Sequence, residues 1–116
     1  MVIGTIAYDN LVLETYVTEG ATLLSGQNLT KGAVLGRISA SGKLKLADEA
    51  SVDGSQTPFA ILLEDCDATA GDKGCPILLS GVVNEDELVF GGTLTASGVK
   101  STLRDAGIFL KTVIGA

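Results

Sequence analysis

A chain of 116 residues with 46% hydrophobic content has the size and apolar fraction of one domain with a modest core. Its formal net charge of −6, with lysines and arginines that form no cluster, disfavours a nucleic-acid backbone as partner. It has no histidine and no tryptophan, so the commonest general base and the commonest metal ligand at neutral pH are both missing.

The first ten residues alternate briefly without a strong period and contain Gly4, which reads as an extended arm. They carry no Lys or Arg, and neither do the next ten, so the basic start of a secretory signal is lacking. No apolar run approaches bilayer-spanning length, and the expectation is a soluble chain that stays where it is made. Leu11 to Thr18, rich in branched and aromatic residues, suits a strand. Asn28 to Gly32 reads as a turn, Ala33 to Ile38 as a strand, and Ser39 to Gly42 as a second turn. Lys43 to Leu46 alternates charge with leucine, as a half-exposed strand with Leu44 and Leu46 facing inward does. The polar, Gly/Ser-containing stretch Ala47 to Gln56 reads as a surface loop.

The centre of the chain is a pair of short apolar runs, Phe59 to Leu63 and Pro76 to Val83, which read as an antiparallel hairpin. Phe59, Ile61 and Leu63 would face one way and Ala60 and Leu62 the other, so both faces are apolar. That pattern belongs to a strand inside a core or inside a subunit contact. Phe59, Ile77, Leu79, Val83 and Phe90 are candidates for one or the other. Beyond the hairpin, Asn84 is placed to cap a single helical turn rich in acid. Ser97 is placed to cap a helix from Gly98 to Ala106, with Val99, Leu103 and Ala106 on one face and Gly107 as its stop. Ile108 to Ile114 returns to strand character. The elements sum to a mainly β fold with one or two short helices.

Little of this carries chemistry. Cys66 and Cys75 are not a disulfide framework; they read as small buried thiols, although a bridge across the hairpin is geometrically conceivable. Two cysteines without histidine cannot close a zinc site. Asp65, Asp67 and Asp72 lack the spacing of a calcium loop and read as a solvated turn. Gly91 to Gly98 has glycines but neither dinucleotide nor Walker spacing. Lys43 and Lys45 read as an ordinary solvent face rather than a lipoyl or biotinyl attachment site. Gly54-Ser55 is the dipeptide at which small self-processing barrel enzymes cleave, but turn chemistry accounts for it here. The residues therefore predict no catalytic group, no metal and no cofactor.

Several segments together resemble the lambda-type head decoration proteins of tailed bacteriophages. They are Lys31 to Gly36, Ser41 to Leu46, Asp53 to Pro58, Ala60 to Leu62, Ala70 to Lys73, Leu79 to Gly81, Asn84 to Leu88 and Leu103 to Ile108, in that order. The resemblance implies a small barrel-like, β-tulip domain over residues 19–116, behind an extended capsid-binding arm over residues 1–18. It implies a non-enzymatic homotrimer on the outside of the expanded head, at three-fold and quasi-three-fold positions, stabilising the shell against internal DNA pressure. The arm, with Thr5, Ile6, Ala7, Tyr8 and Asn10 as contact candidates, would pair with strands of the major capsid protein. The protein would be made and assembled in the bacterial host cytoplasm and would reside on the virion, without direct contact to nucleic acid or membrane. Two competing expectations are a co-chaperonin-like barrel, for which no glycine-flanked mobile loop with a hydrophobic tripeptide is evident, and a self-processing enzyme using Ser55.

Overall fold

The computed structural model describes residues 12–111. In chain order the strands are β1 (Val12–Leu23), β2 (Asn28–Leu29), β3 (Val34–Arg37), β4 (Leu44–Leu46), β5 (Pro58–Leu62), β6 (Cys66–Asp67), β7 (Lys73–Asn84) and β8 (Ile108–Lys111). A 3-10 turn at Glu85–Glu87 and a helix, α1 (Ala96–Ala106), lie between β7 and β8. Five strands close a barrel in the order β1-β4-β3-β5-β7 and back to β1, while β8 is added in parallel to β7.

The longest ladder joins β1 to β7, from Val12 opposite Val83 to Leu23 opposite Lys73. Its register slips between Val12 and Glu14, between Thr15 and Val17 and between Val17 and Thr18, and such irregularities bend a long ribbon so that it can wrap around a barrel. The second edge of β7 is divided. Ile77 and Leu78 pair antiparallel with Leu62 and Ile61, and Gly81 to Asn84 pair parallel with Ile108 to Lys111. The expected pairing of the two central apolar runs is present, but the simple hairpin connection is not. The segment between them contains β6, which pairs with β2 through Leu29–Cys66 and Asn28–Asp67. The expected turn at Asn28 to Gly32 thus begins as a strand.

Alternation along the strands builds two cores. One contains Leu23, Leu35, Leu44, Leu62 and Ile77, a contribution from every barrel strand, and is the barrel interior. The other contains Val34, Ile61, Leu78, Val83 and Ile108 with Val99 and Leu103 of α1, and forms where the helix covers the outside of β3, β5, β7 and β8. Neighbours Val34 and Leu35, Ile61 and Leu62, and Ile77 and Leu78 fall into different cores, as period-two side chains must. Ala60, Ile61 and Leu62 are all fully buried, so both apolar faces of β5 are covered within one chain.

Local chemistry sets the boundaries. Asn84 caps the 3-10 turn by accepting from the Asp86 N–H at 3.1 Å. The helix starts earlier than its expected cap: Thr95, not Ser97, is the N-cap, with an extended backbone and a hydroxyl that accepts from the Gly98 N–H at 3.2 Å. Val99 and Leu103 are buried as expected, whereas Ala106 is exposed because α1 rests on its support through the preceding turns. Gly107 stops the helix in the left-handed region, at φ 99°. Leu44 faces inward as expected, while Leu46 is half-buried. The stretch from Ala47 to Gln56 is not a free surface loop. Ala47 and Ser55 are fully buried, and Ser39 N–H donates to the Asp53 carbonyl, so the loop is tied down at both ends.

Candidate functional site

The described residues open with β1 at Val12, so residues 12–18 of the expected arm are part of a strand here. One edge of β1 is filled by β7 along its length, while the other meets β4 only at Leu23–Leu44. Among the described residues the rest of that second edge has no strand partner. Val17, Thr18, Glu19 and Gly20 are all exposed along this part of β1. A strand edge with unpaired N–H and C=O groups is a ready template for another chain. Thr5, Ile6, Ala7, Tyr8 and Asn10 lie outside the described residues.

The remaining candidates separate by burial. Ile77 and Val83 are interior, one in each core. Phe59 and Leu79 are half-buried against the barrel-interior cluster, and Phe90 against the helix-covered one. The Arg37 guanidinium lies over the Phe59 ring, 5.9 Å from its centre. Four large apolar side chains that composition did not single out are exposed: Val17, Val52, Val89 and Phe109. The signal for Val52 was present as an isolated branched residue in a polar loop. Phe109 follows from the alternation of β8, whose even neighbours Ile108 and Leu110 are buried.

The carboxylates are occupied with holding loops. Asp65 accepts from the Lys31 N–H at 2.8 Å, and Asp67 from the N–H and hydroxyl of Thr69. Asp72 accepts from the Ser25 N–H at 2.8 Å and pairs with Lys43 at 2.6 Å. Hydrogen bonds from Thr69 and from Lys43, respectively, hold the carboxyls of Asp67 and Asp72 below their ordinary value. Asp53 accepts from the hydroxyl and N–H of Ser55 and pairs with Lys45 at 3.5 Å, and its carboxyl is pulled down to about 2, chiefly by Ser55. The Ser55 hydroxyl is thereby engaged in a turn rather than presented to a neighbouring carbonyl. Among the described residues no group of three or more His, Cys, Asp or Glu is placed to hold a metal, and no helix is long and apolar enough to cross a membrane.

Among the described residues, a closed barrel with one covering helix, a strand edge without a strand partner and acids committed to loop geometry suit a scaffold. The family described as bacteriophage lambda head decoration protein D matches the sequence over residues 3–107. The chain belongs to that family. The match spans the arm candidates as well as the barrel and α1, and so reaches the N-terminal stretch that lies outside the segments carrying the sequence resemblance. Membership in the head decoration family implies association with the phage capsid and a place in the virion. A comparison with curated proteins found no match.

Proposed function

We propose that the protein is a non-enzymatic clamp that binds as a homotrimer to the outer surface of the expanded phage head. It occupies three-fold and quasi-three-fold sites and stabilises the shell against internal DNA pressure. Residues ahead of β1, with Thr5, Ile6, Ala7, Tyr8 and Asn10 as contacts, add backbone hydrogen bonds to strands of the major capsid protein. Three such arms on one trimer engage together, so a weak single contact becomes tight through effective concentration. Phe59, Leu79 and Phe90, which keep some exposed surface, are the candidates for the contact between protomers. Assembly takes place in the bacterial host cytoplasm.

The observation that carries this reading is the β1–β7 ladder, the longest in the barrel. Residues 1–11 precede β1 in sequence, so tension on an arm made of them would be delivered to the best-anchored element of the fold. Support for a trimer comes from the family match and from exposed apolar side chains. It no longer comes from the two apolar faces of β5, because these are covered within one chain.

The test is to delete residues 1–10 and mix the truncated and full chains with expanded and unexpanded heads, counting copies bound. The full chain should bind expanded heads selectively. The truncated chain should sediment as the same trimer and fail to bind. Binding retained without the arm, or a full chain that sediments as a monomer at every concentration, would overturn the proposal.

A further inference from the structure

We infer that Asp53-Gly54 is a gated modification site, where the backbone rearranges to isoaspartate through a cyclic imide once the turn laid on β3 opens, and is held back while that turn is closed. Of all the Asp and Asn residues in the chain, only Asp53 is followed by glycine. Glycine has no β-carbon to obstruct ring closure by its own nitrogen, so this is the bond at which the rearrangement is intrinsically easiest. The Asp53 side chain is 39% exposed, so burial is not what holds the reaction back. Hydrogen bonds hold it back instead. The Gly54 N–H donates to Gln56 Oε1 at 2.8 Å, and an amide oxygen retains that hydrogen where attack requires its removal. Asp53 Oδ1 accepts from the Ser55 N–H at 3.0 Å and from the Ser55 hydroxyl, Oδ2 faces Lys45 Nζ at 3.5 Å, and the Asp53 carbonyl accepts from the Ser39 N–H at 2.9 Å. Gly54 is also wedged in the left-handed region, at φ 106°, with the Arg37 carbonyl oxygen 2.9 Å from the point where a β-carbon would stand. Turning the Gly54 nitrogen onto Asp53 Cγ breaks these contacts together and pulls on Ser55, which is fully buried.

The chemistry is a dehydration followed by a hydrolysis, with no change of oxidation state. The Gly54 nitrogen bonds to Cγ of the neutral Asp53 carboxyl, and the hydroxyl leaves with the amide hydrogen as water. Water then adds to one carbonyl of the imide and breaks its bond to nitrogen, which regains a hydrogen. Opening at Cγ restores aspartate, and opening at the former backbone carbonyl gives isoaspartate of unchanged mass. In the closed turn the Asp53 carboxyl is pulled down to about 2, chiefly by Ser55, so at neutral pH it stays ionised and retains the oxygen that must leave.

Once made, the change opposes reclosure. The rearranged main chain runs through the Asp53 β-carbon, so it is one atom longer before Gly54, and the carbonyl that Ser39 bonded becomes a free carboxylate. Ser55 sits so close to the backbone of Gly36 that the approach leaves no slack for the added atom. Opening of the turn is thereby recorded covalently. This inference does not depend on the capsid reading.

The experiment incubates the full chain at neutral pH, folded in buffer and in parallel unfolded in urea. Isoaspartate at residue 53 is counted by peptide mapping with an endoproteinase that cuts before aspartate but not before isoaspartate. It should accumulate in urea and form at least roughly tenfold more slowly in buffer, the factor set by a turn that is open less than about a tenth of the time. Ser55→Ala and Gln56→Ala should each speed the reaction in buffer by roughly fivefold, as loss of one hydrogen bond does, and leave the rate in urea unchanged. Gln56 is only half-buried, so Gln56→Ala decides the point if Ser55→Ala does not fold. The isomerised chain, isolated by chromatography, should melt roughly 5 °C or more below the parent. Equal rates in buffer and urea, no isoaspartate at residue 53 in urea, a Gln56→Ala chain no faster than the parent in buffer, or an isomerised chain as heat-stable as the parent would each overturn the inference.

Discussion

The carbonyl oxygen of Ser55 lies 2.0 Å from the point where a β-carbon on Gly36 would stand, with the Ser55 carbonyl carbon and Cα at 2.6 and 2.7 Å. The buried loop end is thus laid directly on the backbone of β3. Glycine is needed at 36 for close approach alone, since its backbone is not left-handed.

Gly36→Ala should therefore destabilise the fold by roughly 3 kcal/mol, because backbone rather than a flexible side chain must yield. Gly20→Ala, with open space around it, should be neutral or stabilising by about 0.5 kcal/mol. Urea titration of both variants checks the contrast, and equal effects would remove the steric account of Gly36.

The loop carboxylates should make the fold acid-sensitive over a defined range. Asp53 titrates near 2 in the folded chain against an ordinary value of 3.8, and Asp67 and Asp72 are shifted the same way. A depressed folded value means that the contribution is fully present above about pH 4 and is lost as pH falls from about 4 towards about 2. Thermal midpoints measured across that range should decline, and Asp53→Asn should flatten the decline. A midpoint that stays level down to pH 2 would remove these carboxylates as contributors.

At the start of α1, Thr95→Ala should cost about 1 kcal/mol, because it leaves the Gly98 N–H without its hydroxyl acceptor. Ser97→Ala should change stability by less than about 0.5 kcal/mol. Chemical denaturation of the two variants distinguishes them, and the reverse order would move the cap to Ser97.

Leu103→Ala, which empties a fully buried position between α1 and the sheet, should cost roughly 2–5 kcal/mol. Val52→Ser, at a side chain 93% exposed, should leave the unfolding midpoint within about 0.5 kcal/mol of the parent. Calorimetry reads both, and a strongly destabilised Val52→Ser would show that this residue packs against something.

The sequence made short-range features readable. Asn84 before three acids, Gly107 after Leu103, and the alternation from Phe59 to Leu63 each depend on residues only a few positions apart. The β1–β7 ladder did not, because it joins Val12 to Val83 across most of the chain and no local pattern records the partner. The same holds for β2 with β6, two-residue strands too short to show a period. Thr95 and Ser97 are both good caps by chemistry, and the choice falls to Thr95 because Val99 and Leu103 must face β5 and β8. Ser55 looked exposed because its neighbours are polar, but those neighbours bond to each other and let it sink. The exposed side of the site was the least readable, since Val17, Val89 and Phe109 resemble core residues until the fold shows which way they turn.

The antiparallel ladder between β1 and β7 also sets how the domain answers a mechanical load. A pull at Val12 directed along the strand strains many backbone bonds simultaneously, as a glued lap joint resists sliding. A pull directed outward, away from β7, would open them one after another from the end. The direction in which a tether leaves Val12 therefore decides whether the barrel behaves as a rivet or as a zip.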